Sequence, residues 1–172
     1  MTETLRIGRR AVRISHPDKV LFPRAKVTKL ALARHFERVA PVMLPYVAGR
    51  PLALQGFPGG IDKHGYYLKA VPDYFPDWVG RATVAKQDGT VTHALANDAA
   101  TLVYLAGQNV VTPHLWLSRA DAPRQPDRLI LASTPRRRVL RTCARRRAMP
   151  ARACATLGSF TTRWLPAHAA SM

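Results

Sequence analysis

The segment "DRLILASTPRRRV", residues 127–139, divides the chain into two kinds of sequence. Asp127 is the last carboxylate in 172 residues, and residues 136–172 hold nine arginines and no acid. That stretch shows neither helical nor strand periodicity, so the sequence predicts a folded body over 1–135 and a basic tail over 136–172 that is disordered or weakly helical. The body carries 18 Lys and Arg against 10 Asp and Glu and is only moderately basic, whereas the whole chain has a formal charge of +17. Such a charge points to a polyanionic partner, nucleic acid first. The opening residues "MTETLRIGRRAVRIS" lack the apolar core of a secretion signal, and no apolar run is long enough to span a bilayer, so no membrane role and a cytoplasmic location are expected. Cys143 and Cys154 lie in the tail without zinc-ligand spacing.

Local patterns in the body predict an α+β fold. "LRIGRRAVRIS" alternates apolar and basic residues around a Gly break and reads as a hairpin; "HPDKVLFPRAKV" reads as a loop. Thr28 is placed to cap a helix over 29–40 with Leu32, Phe36 and Val39 on one face, ended by Pro41 and Pro45. "RPLALQGF" and "GYYLKAV" read as strands around a turn-rich loop, and "RATVAKQDGTVTHAL" as a hairpin with Asp88-Gly89 at its tip. Asn97 or Asp98 caps a helix over "AATLVYLAGQ", and "VVTPHLWLS" and "RLILA" read as two further strands.

Several of these pieces, in this order, resemble the polymerase domain of bacterial DNA ligase D, a primase-like nucleotidyltransferase of non-homologous end joining: "SHPDKVLFPRAKVTK", "GRPLAL", "GIDKHGYYLKAVPDYFPDWV" and "NDAATLVYLAGQNVVTPHLWLSRADAPRQPDRLIL". The resemblance runs from about residue 12 to 131, the N-terminal half of such a domain. It implies that Lys19 and Lys29 bind the 5′-phosphate at a DNA gap or end, that Tyr67 stacks near the template strand, and that His114 lies near the incoming nucleotide and primer end. The residues agree in part. Lys29 falls at a helix N-terminus, where free N–H groups and the helix dipole favour an anion. Tyr66 and Tyr67 point to opposite faces of a strand, and spacing alone does not say which is core; Lys69 shares a face with Tyr67. The other histidines form no metal-ligand spacing.

The family's chemistry uses Mn²⁺ or Mg²⁺ held by an Asp-hydrophobic-Asp-Pro strand. Aligned on "PDRLIL", that motif falls on Ala132, Ser133, Thr134 and Pro135, and methyl or hydroxyl groups do not replace two ionised carboxylates. Gly56 stands where the family commonly has a basic residue. The sequence therefore predicts a truncated homologue without catalytic metal, inactive in nucleotide addition, with nucleoside triphosphate binding doubtful, a residual site for DNA 5′-phosphate, a ligase as a further partner and a nucleoid-associated location. Shifting the reading frame after codon 131 permits a Gly-Asp pair and then Phe-Glu-Arg-Val-Arg-Ala-Ala, which marks the tail as an out-of-frame product; a natural basic arm is the alternative. The competing function is a non-specific basic nucleic-acid-binding protein. An unpaired strand at "RLILA" would favour aggregation.

Overall fold

The computed structural model describes residues 1–130, and residues 1–129 form one compact unit. The alternating N-terminal segment pairs as β1, Thr2–Ile7, and β2, Arg10–Ser15, with Leu5 opposite Val12. Gly8 opens the two-residue turn at φ 59°, a conformation unfavourable for a side chain with a Cβ. Leu5, Ile7, Val12 and Ile14 are buried, which leaves Arg6 and Arg13 on the wet face.

The following segment is not a simple loop. Val20–Phe22 (β3) pairs antiparallel with Val27–Thr28 (β4), and β4 runs directly into helix α1, Lys29–Val47. Thr28 caps the helix by accepting from the Ala31 N–H at 3.2 Å. The expected stop at Pro41 and Pro45 does not occur: both lie inside α1. They are four residues apart on the exposed face, where water can satisfy the carbonyls they leave without a donor. The opposite face buries Leu32, Ala33, Phe36, Ala40 and Val47, and that burial outweighs a local cost of about 3 kcal/mol per interior proline.

Helix α2, Ala99–Gly107, packs against α1 and β2 and is buried at every residue from Ala100 to Gly107, so it reads as a core helix rather than an amphipathic one. Asp98, not Asn97, is its cap: Oδ1 accepts from the Thr101 N–H and from the Thr101 hydroxyl, each at 2.7 Å. Asn97 instead accepts from the Gly49 N–H just beyond the end of α1, at 2.8 Å. The second carboxylate oxygen of Asp98 faces Arg10 at 3.4 Å, and the Arg10 guanidinium lies over the Trp78 ring, 4.8 Å from its centroid.

Five strands make the main sheet: β5, Leu52–Gly56; β6, Tyr66–Leu68; β7, Gly80–Lys86; β8, Gly89–Leu95; and β9, Val110–Leu115. All pairings are antiparallel. The β7–β8 hairpin turns at Gly89 (φ 114°), as the Asp88-Gly89 pair implies. β9 follows β5 along its length, from Leu52 opposite Leu115 to Gly56 opposite Val110. A strand has two hydrogen-bonding edges, so β8, meeting β5 at Leu52, and β6, meeting it at Leu54 to Gly56, divide the other edge between them. The architecture is α+β, mostly strands with two helices.

The strand expected at "RLILA" is absent from the described residues: Asp127–Ile130 are irregular, and Leu131 and Ala132 lie outside them. Asp127 is held elsewhere. Arg50, 3% exposed, donates Nη1 to one Asp127 oxygen at 2.6 Å and Nη2 to the other, and gives Nη1 also to the Leu117 carbonyl at 2.9 Å. This fork fixes the segment after β9 against the start of β5. The same hydrogen bonds hold the Asp127 carboxyl below the usual carboxylate range. A lowered folded-state value stabilises the protein above the unfolded value of about 3.9 and stops doing so as the pH falls through the folded value. Asp127→Asn is expected to lower the thermal midpoint at pH 7 and to flatten the loss of stability below about pH 4; thermal melts across pH 2–7 on both proteins check this.

Candidate nucleic-acid interface

Lys19 and Lys29 come together through the backbone. The β2–β3 turn begins at His16, whose backbone is left-handed (φ 51°), and the Lys19 N–H closes it by donating to the His16 carbonyl at 3.1 Å. The Lys29 N–H then donates to the Lys19 carbonyl at 2.8 Å, and the Leu30 N–H to the Pro17 carbonyl at 3.0 Å. Met1, His16, Pro17, Asp18 and Lys19 line a cavity of about 410 Å³ at this junction.

Two consequences follow for anion binding there. The first three N–H groups of α1, those of Lys29, Leu30 and Ala31, already have acceptors, so the helix N-terminus offers none of the free amides that its sequence position implied. Charge at this point must come from side chains. Lys29 is 3% exposed and forms no ion pair with any described residue; desolvation, and secondarily the nearby Lys19 charge, lower its amine below the usual lysine range. Two cations beside one another, one of them desolvated, are a configuration that a bound anion relieves.

Alternation on β6 separates the two tyrosines. Tyr66 packs over Gly56 and donates its hydroxyl to the Gln108 carbonyl at 2.7 Å, and burial pushes its phenol up to about 12. A Cβ at Gly56 would collide with the Tyr66 ring, so the residue that departs from the family pattern is coupled to a tyrosine that fills the space above it. Tyr67 faces the other way and is 52% exposed. Its ring lies 5.5 Å from that of His114, centroid to centroid. Gln55, opposite Tyr67 in the β5–β6 register, accepts from His114 Nε2–H at 3.1 Å. Register thus brings Tyr67, Gln55 and His114 onto one face of the sheet from three strands.

Sequence reading missed Gln55, although a lone amide in the apolar strand "LALQG" was its signal. His93, assigned no functional role from the sequence, is 4% exposed, bonds the Leu52 carbonyl at 3.0 Å and meets the Trp116 ring at 5.0 Å. Lys69, beyond the end of β6, is exposed.

Among the described residues no group of three or more His, Cys, Asp or Glu is arranged to hold a metal ion, and of the ten carboxylates Asp98, Asp127, Asp77, Asp121, Glu3 and Glu37 face arginines. Asp88 is at a hairpin tip, and Asp18, Asp62 and Asp73 are in loops. Ala132 and Thr134, where the sequence reading expects the family's metal ligands, lie outside the described residues.

Comparison with known proteins decides the family. The model of the LigD primase-polymerase domain matches residues 28–156. The chain belongs to the LigD primase-polymerase family. The multifunctional non-homologous end joining DNA repair protein LigD of Mycobacterium tuberculosis is 35% identical over 104 residues, and the bifunctional non-homologous end joining protein LigD of Bacillus subtilis 26% over 118. These alignments cover 60% and 69% of this chain but only 14% and 18% of the relatives. The solved polymerase domain of Mycobacterium tuberculosis ligase D in complex with DNA superposes with a TM-score of 0.60 at 34% identity, over 62% of this chain and 37% of that one. The chain therefore spans less than a fifth of the length of these LigD proteins and less than half of the solved polymerase domain. Among the described residues no helix is long and apolar enough to cross a membrane.

Lys29 tests the electrostatics of this LigD-family interface directly. Lys29→Met keeps the stem and removes a desolvated charge, so it is expected to stabilise the free protein by about 1 kcal/mol, read as a higher thermal midpoint.

Proposed function

We propose that this LigD primase-polymerase homologue is a DNA-end-binding protein that recognises a 5′-phosphate and does not itself add nucleotides. The observation that carries the reading is the Lys19–Lys29 junction, where a backbone hydrogen bond of 2.8 Å joins two family-matching lysines beside an open cavity. Its support from the comparisons is a DNA complex of a relative's polymerase domain. Tyr67, on the exposed sheet face, suits stacking against a base of the template strand, which tolerates any sequence. His114, beside it, corresponds to the residue near the primer end.

The absence of nucleotide addition rests on chemistry. Two-metal nucleotidyl transfer needs ionised oxygens next to the reacting phosphate, and Ala132 and Thr134 supply none. In this reading the protein serves break repair by occupying ends, with a ligase acting on them, and its partner is DNA rather than a nucleoside triphosphate. The high positive charge also favours a second reading, binding to any nucleic acid by charge alone.

A recessed duplex with and without a 5′-phosphate separates these. The phosphate is expected to tighten binding by roughly tenfold, the effect of one charge-assisted contact pair of about 1.5 kcal/mol, and Lys19→Ala with Lys29→Ala to abolish the difference. Equal affinity for both ends, with a steep salt dependence, would establish the charge-only reading. Primer extension assayed with Mn²⁺ and Mg²⁺ is expected to give no product, and metal-dependent extension would overturn the inactive assignment.

A further inference from the structure

The β5–β6 loop, residues 57–65, lies between the two parts of the interface. The Ile61 N–H donates to the Leu21 carbonyl at 2.8 Å, which attaches the loop to β3 two residues after Lys19. At its other end Gly65 precedes Tyr66 and Tyr67. Gly59, Ile61, Asp62, Lys63, His64 and Gly65 line an open groove of about 780 Å³.

Backbone donors distinguish this groove from the start of α1. The loop's own turns use the N–H groups of Gly60 and Lys63, which donate to the carbonyls of Phe57 and Gly60 at 3.0 Å each. The N–H groups of Asp62, His64 and Gly65 have no acceptor among the described residues. The Lys63 stem lies against Gly59, where a Cβ would come within 2.9 Å of Lys63 Cδ, and this holds the lysine along the groove wall. Gly65 must be glycine for a related reason, since a Cβ there would meet the Gly56 carbonyl at 2.6 Å. Free amides beside a lysine and a histidine make an anion receptor of the kind formed by other backbone concavities. The one opposing charge in the lining is Asp62.

We propose that this loop is a second anion site, and that its ligand is an internucleotide phosphate of a DNA strand passing between the Lys19–Lys29 junction and Tyr67. The assignment rests on the end-binding function above and adds to it a contact with the strand's backbone rather than with its 5′ end. Such a contact contributes equally to phosphorylated and unphosphorylated ends. It also contributes counterion release, about 0.7 to 0.9 in the slope of log affinity against log salt per phosphate neutralised.

The test uses the full chain and a recessed duplex with either a 5′-phosphate or a 5′-hydroxyl, titrated between about 50 and 200 mM salt. Lys63→Ala combined with His64→Ala is expected to weaken binding to both duplexes by the same factor, about five- to tenfold, to lower the salt slope by about one, and to preserve the preference for the 5′-phosphate. Lys26→Ala, a β3–β4 turn lysine outside the groove, is the comparison for removing one surface charge. DNA carrying single methylphosphonate linkages next to the junction supplies the reciprocal probe: one position is expected to weaken wild-type binding and to have no effect on the double variant. An unchanged affinity and slope in the double variant, or a loss no larger than that of Lys26→Ala, would overturn the loop site while leaving end recognition intact. Equal wild-type affinity for the two duplexes would instead overturn the end-binding reading.

Discussion

Strand β5 is the constraint on which the described fold depends. It is bonded to β9 along one edge and to β8 and β6 on the other, and Leu52, Ala53 and Leu54 are all buried. Its two ends carry the chain's most specific contacts. At the start, Arg50 is buried and must be neutralised, because an unpaired guanidinium in that position would cost several kcal/mol. At the finish, Gly56 leaves room for Tyr66, whose hydroxyl reaches the carbonyl of Gln108 just after α2. Both ends tie the sheet to elements distant in sequence. The interface face inherits its geometry from this strand: Gln55 projects between Tyr67 and His114 because β6 and β9 flank it in fixed register.

The Lys19–Lys29 junction is organised by a different principle. The helix start looked like an anion site because unpaired amides are usual there, yet the β2–β3 turn folds back and consumes them. What remains is a desolvated lysine beside an exposed one. That arrangement costs stability in the free protein and becomes favourable only when an anion occupies it, which is the usual trade at a binding site. The loop at 57–65 has the opposite economy: its charged side chains are solvated, and its unpaired amides are the fixed donors.

How much of this was legible depended on whether the information was local. The β1–β2 and β7–β8 hairpins, the Thr28 cap and the α2 core helix follow from alternation, turn chemistry and capping, and they appear where the sequence puts them. The length of α1 was not legible, because whether a proline stops a helix depends on which face is wet, and that is set by packing on α2. "RLILA" carried the composition of a strand, yet Arg128–Ile130 are irregular, and the Asp127 before them pairs with Arg50, a residue 77 positions away. At the interface, alternation stated that Tyr66 and Tyr67 diverge without saying which is core; the small residue at 56 and the Gln108 carbonyl decide it. Family resemblance named Tyr67 and His114 separately, and only strand register shows that their rings are neighbours.

The distribution of acids gives the positive charge its meaning. All ten carboxylates fall at or before Asp127, and six of them face arginines, where they answer internal or local needs. Few are left to offset the remaining cations, so the free protein carries self-repulsion that opposes its compact state. A polyanion removes that repulsion and relieves the desolvated Lys29 at the same time. Any ligand with a higher affinity for the folded surface than for the unfolded chain also shifts the folding equilibrium by mass action. The electrostatics that make the isolated chain costly to fold are the ones a polyanion would offset.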